Sequence, residues 1–360
     1  MAEKALIAMS GGVDSSAAAL LMQQAGYECA GATMHLFDNP DAGISKEKTC
    51  CSLSDVQDAK LVCARLGMLH YVFNFSDRFR EKVMQRFAYC YENGMTPNPC
   101  IDCNRYLKFD AMVQRMHEME FDCIVTGHYA QIVYDETCGR YLLKKAADPD
   151  KDQSYVLYSL TQEQLRVTRF PLGGFRKNEI RAIAEKHGLV TARKKESQDI
   201  CFVPDGDYAG FLERFTGRQF PCGDFTDTDG NRLGTHHGII HYTIGQRRGL
   251  GISAGHPLYV CGIDPTENRV ILGENAALFS DRLTADDVNL ISVPDLTTPM
   301  RVAAKIRYRH KEQPALAWMK DGVLFVQFDA PQRAVTCGQA VVLYQGDTVV
   351  GGGTIRSASF

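Results

Sequence analysis

The sequence contains no GxxxxGK followed by Ser or Thr, so the common phosphate-loop ATPase signature is absent. No apolar run approaches the roughly 18 residues needed to span a bilayer, and no basic–apolar–small leader precedes Ala5. Charge excess is also missing. Forty Lys and Arg face 43 Asp and Glu, so no global field draws the chain to nucleic acid or membrane, and RNA affinity must come from local patches. THHGIIH (residues 235–241) sets His237 and His241 without an intervening glutamate, which excludes a zinc-protease helix, and GLGISAG (249–255) misses the dinucleotide-binding spacing. There is no internal repeat and no low-complexity tract. Cysteine, by contrast, is plentiful: thirteen residues, an odd number without small-scaffold spacing, read as a reducing compartment in which most are small core residues. The expectation is a cytoplasmic enzyme with no membrane segment, its 360 residues making about two or three domains.

What is present begins at AMSGGVDSS, residues 8–16, directly after the apolar run Ala5–Met9. The run has the length of a buried strand, and Ser15–Ala25 (SSAAALLMQQA) carries a helix-forming pattern. Gly11 and Gly12 therefore sit where a strand turns sharply into a helix. Backbone N–H groups, the helix N-terminus and the hydroxyls of Ser10, Ser15 and Ser16 would form an anion cradle suited to phosphate or pyrophosphate. The simpler reading is a tight turn with Asp14 or Ser15 capping the helix.

Downstream, strand-like and helix-like pieces alternate. Cys29–Met34 reads as a strand, Phe37–Thr49 as a polar loop, and Ser54–Leu66 as a helix opened by a capping-box-like S-D-V-Q. His70–Phe75 reads as a strand, Phe79–Tyr91 and Leu107–Met119 as helices, and Cys123–Thr126 as a short strand ending at Gly127-His128. This order predicts an α/β fold with a doubly wound parallel sheet, whose carboxyl edge gathers SGGVDSS, Met34, the TPNP loop and Gly127-His128. Residues 154–187 look helical and basic, and 205–255 form a weakly periodic mixed segment. From Asp281 on, short strands and a hairpin around Gly346-Asp347 predict a C-terminal β-barrel. The implied division is a catalytic domain at 1–205, a small central domain at 206–280 and a barrel at 281–360.

TPNPCIDCN (96–104) places Cys100 and Cys103 at C-x-x-C spacing behind two prolines, with Asp102 between them. KKESQDICFVP (194–204) sets Cys201 beside a charged stretch, where Lys194 and Lys195 are either local charge for a thiolate or two solvated lysines. C-x-x-C spacing serves thiol chemistry or a metal. Cys50-Cys51 reads as a loop pair.

SGGVDS resembles the pyrophosphate-binding loop of the PP-loop ATP pyrophosphatases. Together with TPNPCIDCNRYLKF, TGHYA, KDQSYVLYSL, KKESQDICFV, YTIGQRRGLGI, KIRYRH and CGQAVVLYQGDTVVGGGTI, it resembles the tRNA-specific 2-thiouridylases nearly end to end. The resemblance implies ATP-dependent transfer of sulfur to the 2-position of the wobble uridine, through an adenylated base. It implies ATP at Ala8, Met9, Ser10, Gly11, Gly12, Val13, Asp14, Ser15, Met34 and Gly127, with Asp14 helping to hold Mg2+. Cys201 would carry a persulfide and Cys103 would be its partner thiol, leaving a Cys103–Cys201 disulfide, or the persulfide would attack the uridine directly. The implied partners are tRNA and a persulfide donor such as a cysteine desulfurase or sulfur-relay protein, and the implied state is a monomer. Some members have an aspartate where this chain has Cys100, so two readings stay open: Asp102 substitutes, or Cys100, Cys103 and Cys201 hold a 4Fe–4S cluster.

By the same resemblance, His128, Lys151, Asp152, Gln153, Arg307, Tyr308 and Gln339 meet tRNA, with His128 near the flipped uridine. Arg166–Lys195 carries nine Lys and Arg against two Glu, and Arg301–Lys311 adds five more basic residues, a pattern for phosphate tracking or for solvated faces. The competing functions are another PP-loop adenylating amidase or synthetase acting on a small substrate, and a non-catalytic RNA-binding sulfur carrier.

Overall fold

A computed structural model describes residues 2–37, 53–194 and 200–359. Their contacts divide into two compact units. The first comprises residues 1–83, 100–204 and 346–350; the second comprises 84–99, 205–345 and 351–360.

The first unit is built on five parallel strands in the order β3-β2-β1-β4-β7: β1 (Lys4–Ala8), β2 (Glu28–His35), β3 (Leu69–Asn74), β4 (Cys123–Val125) and β7 (Thr168–Arg169). Helix α1 (Val13–Gln24) follows β1 and is buried along most of its length, because Ala17, Ala18 and Ala19 let it lie close to the sheet beside Met9, Val62 and Cys63. β1 lies between β2 and β4, so successive connections leave it in opposite directions. That is the switch point at which open α/β sheets form a crevice beyond the strands' carboxyl ends.

The doubly wound sheet expected from the sequence is therefore present, with local corrections. α1 starts at Val13, and its N-cap is Gly12 with no side-chain cap, so neither Asp14 nor Ser15 serves that role. Ser54 falls inside the helix Leu53–Arg65 rather than capping it. The segment expected as a loop at Cys100–Cys103 is the first turn of a helix that starts at Pro99 and runs on without a break through Asn104–Ala111 and Met112–Glu118. Pro99 occupies its first position, where a fixed φ suits the helix and the missing N–H costs nothing. The basic stretch after Ser154 is not continuously helical. β7 follows the helix Gln162–Val167, and a turn through Pro171 and Gly173 precedes the helix Lys177–Lys186. A hairpin of β5 (Gln131–Asp135) and β6 (Arg140–Lys144) was not foreseen, although QIVYD and RYLLK flank a turn at 136–139. Cys50 and Cys51, and all of the expected polar loop beyond Phe37, lie outside the described residues.

In the second unit, β8 (Gly223–Thr226), β9 (Arg232–His236), β10 (Tyr259–Asp264) and β11 (Arg269–Gly273) form a sheet in the order β10-β11-β8-β9. The expected barrel is closed and six-stranded. β12 (Phe279–Leu290), β15 (Val323–Arg333), β14 (Gln313–Lys320), β13 (Met300–Lys305), β16 (Ala340–Gln345) and β17 (Thr348–Ser357) follow in that order, and β12 pairs with β17 to close the ring. Alternate residues such as Leu324, Val326 and Phe328 of β15 fill its interior, as the two-residue period requires. Among the described residues no helix is long and apolar enough to cross a membrane.

Candidate active site

At the β1/β4 switch point of the first unit lies a cavity of about 200 Å3 lined by the ends of β1, β2 and β4 and the start of α1. Ala8, Met9, Ser10, Asp14, Ser15, Met34 and Gly127 of the residues expected at ATP line it, together with His128 and Gln153. The remaining three shape the turn itself. Gly11 has φ +68°, and a Cβ there would fall 2.4 Å from the Asp55 carbonyl oxygen, so only glycine lets the loop pass. Gly12 caps α1, and Val13 is buried in the core. Gly127 packs so closely that a Cβ would sit 2.8 Å from both Asp14 C and Ser15 N.

The loop is braced from within. Ser15 Oγ accepts from Ser10 N at 3.2 Å and donates to Gly12 O at 3.1 Å, while Ser16 Oγ donates to the same carbonyl at 2.9 Å. The hydroxyls of Ser15 and Ser16 are thus spent on the turn. Donors that remain for an anion include the N–H groups at the start of α1, which no side chain caps.

Two lysines bear on this site, Lys177 at Asp14 and Lys108 at His128. Lys177 Nζ reaches both Asp14 oxygens at 2.7 Å, and Tyr129 Oη donates to Asp14 Oδ1 at 2.9 Å. Asp14 is the sole acid among the residues that line the cavity, so a magnesium ion held there with substrate phosphates would share its one carboxylate with the Lys177 ammonium. Lys108 lines the cavity and lies 3.5 Å from His128 Nε2, while His128 Nδ1 is 2.7 Å from Thr126 Oγ1. Burial first, and the Lys108 charge second, hold His128 well below the usual imidazole range. An ammonium can only donate, so these partners assign the proton to Nδ1 and leave Nε2 as the acceptor.

The expected sulfur residues sit elsewhere in the unit. Cys100 is exposed and Cys103 half-buried on the helix Pro99–Cys103, where Asp102 is buried. Cys201 is half-buried, followed by Phe202, whose ring meets Phe79 edge-on at 5.7 Å and fixes that side of the segment. All three cysteines are thiols in this structure. Among the described residues no three His, Cys, Asp or Glu side chains form a metal-holding group, so the donors do not fit the 4Fe–4S reading. Lys194, left open as a charge for a thiolate or a solvated lysine, is engaged by two carboxylates. Its Nζ is held by Asp55 at 2.6 Å and Asp58 at 2.5 Å, and Lys195 lies outside the described residues.

With this geometry in hand, comparison with known proteins decides the family. The model of the tRNA methyl transferase HUP domain matches residues 3–205, that of the tRNA methyl transferase PRC-barrel domain matches 209–274, and that of the aminomethyltransferase beta-barrel domain matches 280–355. The tRNA-specific 2-thiouridylase MnmA of Acetivibrio thermocellus is 51% identical over 356 residues, 98% of this chain and 99% of that protein. The chain belongs to the tRNA-specific 2-thiouridylase family. A second 2-thiouridylase, MnmA 1 of Thermoanaerobacter pseudethanolicus, is 50% identical over 98% of both chains, and the Clostridioides difficile protein is 48% identical over 99% of both.

The positions that the 2-thiouridylase pattern assigns to tRNA fall in both units. Gln153 Oε1 accepts from Tyr129 N at 2.9 Å, and Asp152 accepts from Ser154 Oγ at 2.7 Å and Ala146 N at 3.1 Å, so both side chains order their own loop. Lys151 lines a cleft with Arg176, Lys177 and Arg181. In the second unit Arg307 Nη2 donates to Arg333 O at 2.8 Å, Tyr308 is exposed beside Lys305, and Gln339 Nε2 donates to Thr96 O at 2.8 Å. The basic segments are also partly spent internally: Lys177 on Asp14, Arg193 on Glu185 at 3.5 Å, and Arg301 on Asp329 at 2.5 Å. Lys108, which lines the cavity, and Lys177, which holds the cavity residue Asp14, are the groups that the sequence reading does not single out. Lys177 is 163 residues from Asp14, and nothing in local spacing announces the pair.

Proposed function

We propose that this protein thiolates the 2-position of the wobble uridine in tRNA at the expense of ATP. The observation that carries the reading is about 50% identity to 2-thiouridylases over essentially the whole chain. The cavity at the β1/β4 switch point, with an uncapped helix N-terminus at its edge, supports it. The uracil carbonyl is a poor leaving group. Its oxygen attacks the α-phosphorus of ATP, the bond to the β-phosphate oxygen breaks, and pyrophosphate departs against the N–H groups of α1. Magnesium enters with the nucleotide and supplies charge neutralisation of its phosphates. Neutral His128 keeps a second positive charge away from the base while Lys108 supplies one.

Sulfur arrives from an external persulfide donor as a persulfide on Cys201. Its terminal sulfur bonds to C2 and AMP leaves. The Cys103 thiolate then attacks Sγ of Cys201, so the sulfur–sulfur bond breaks toward the base. The persulfide sulfur is reduced by two electrons as the two thiols become a disulfide, and an external dithiol restores them. Asp102, buried beside Cys103, is the carboxylate nearest in sequence to the partner thiol. The test is nucleoside mass spectrometry of unmodified tRNA incubated with the protein, Mg-ATP, a cysteine desulfurase and cysteine. The expected product is ATP-dependent 2-thiouridine at the wobble position. ATP cleavage without a thiolated base would contradict the substrate assignment.

A further inference from the structure

A phosphate-binding loop that presents a carboxylate to a polyanion needs that charge answered. The Asp14 side chain is 30% exposed and the Lys177 side chain only 11%. The two 2.7 Å contacts from one ammonium, with the Tyr129 hydroxyl at 2.9 Å, give this carboxylate three hydrogen bonds. The ammonium also lies 5.5 Å from the centre of the Tyr129 ring. The backbone beneath it is fixed as well. Lys177 N donates to Asp148 Oδ2 at 2.9 Å, and Arg176 N donates to Glu179 Oε2 at 2.6 Å, capping the helix Lys177–Lys186 that carries the lysine. A magnesium ion bonded to an Asp14 oxygen at about 2.0–2.1 Å would set a second cation on the carboxylate that already holds the nearly buried ammonium of Lys177.

We propose that Lys177 is a positioning residue of the phosphate loop. It neutralises Asp14, so that the polyphosphate meets a loop without net negative charge, and magnesium is held by the phosphates rather than by Asp14. The inference rests on the reading of this cavity as an ATP site. It differs from two other arrangements, one in which Lys177 itself grips phosphate and one in which Asp14 ligates the metal.

Binding of α,β-methylene-ATP to the full-length protein, measured by calorimetry in excess Mg2+ and in EDTA, separates the three. Lys177→Met leaves a carboxylate unanswered and weakens binding about tenfold or more in both conditions. Asp14→Asn binds the analogue as tightly as the unsubstituted protein or more tightly, with an unchanged Mg2+ dependence. The Asp14→Asn/Lys177→Met double variant, which removes both charges, recovers to within about threefold of the unsubstituted protein. A double variant as weak as Lys177→Met overturns the proposal in favour of direct phosphate contact. Asp14→Asn losing affinity in Mg2+ but not in EDTA overturns it in favour of metal ligation. If Lys177→Met does not fold, Asp14→Asn and the double variant decide by the same criteria. Absence of binding by the unsubstituted protein overturns the ATP reading itself, independently of any variant.

Discussion

Between Ser10 and Ser16 the chain is tied down at each step. One carbonyl takes two hydroxyls, Gly127 is pressed against the turn, and Asp14 is held by Lys177 and Tyr129. The thiols are placed differently. Cys100 is exposed, Cys103 is half-buried in the first turn of a helix that continues through Asn104–Ala111, and Cys201 is half-buried next to the buried Phe202. None of the three is among the residues that line the cavity. On the proposed function, nucleotide activation uses a cavity whose lining residues include no cysteine, and sulfur delivery uses residues outside that lining. The two half-reactions should come apart under mutation.

The largest expected effect is on the sulfur side. Cys103→Ser and Cys201→Ser each lower 2-thiouridine formation about a thousandfold and leave ATP affinity unchanged, as quantitative nucleoside mass spectrometry and calorimetry would show. A parallel loss of ATP affinity would erase the distinction. Gly127→Ala attacks the other side. Its Cβ meets main-chain atoms of Asp14 and Ser15 that cannot rotate away, so ATP binding falls about tenfold and stability drops ~1–3 kcal/mol. Urea unfolding and calorimetry read both; full ATP affinity would show that the loop is not held by this contact.

The smallest effect is a slope. The folded pKa of His128 lies below its ordinary value of 6.5, through burial and then Lys108. As pH falls, the unfolded chain therefore takes up its proton first. The stability associated with the neutral ring is complete above about 6.5 and is lost toward the lower folded value, at up to ~1.4 kcal/mol per pH unit. His128→Asn removes that contribution, which urea unfolding between pH 7.5 and 5.5 reports. An unchanged slope would mean that the ring protonates without cost.

Much of the nucleotide half was legible in the sequence because its signals are local. An apolar run, two glycines and an alanine-rich helix are contiguous, and the strand order that brings Met34 and Gly127 to the same edge follows from alternation. The barrel was legible for the same reason, from short alternating strands and the Gly346-Asp347 turn. What escaped depends on distance or on context. Lys177 was counted as one more cation in a basic segment, because its partner is far away in the chain. The prolines before Cys100 read as a loop, yet Pro99 marks a helix start. For Lys194 the sequence leaves both a thiolate's charge and a solvated lysine open, because its carboxylate partners Asp55 and Asp58 lie far away in the chain.

The separation of the two half-reactions is tested most directly by isotope exchange in Cys201→Ser protein, following labelled pyrophosphate into ATP in the presence of unmodified tRNA. tRNA-dependent exchange at close to the unsubstituted rate, with no 2-thiouridine formed, is the predicted result. Loss of exchange in this variant, with exchange intact in the unsubstituted protein, would contradict it.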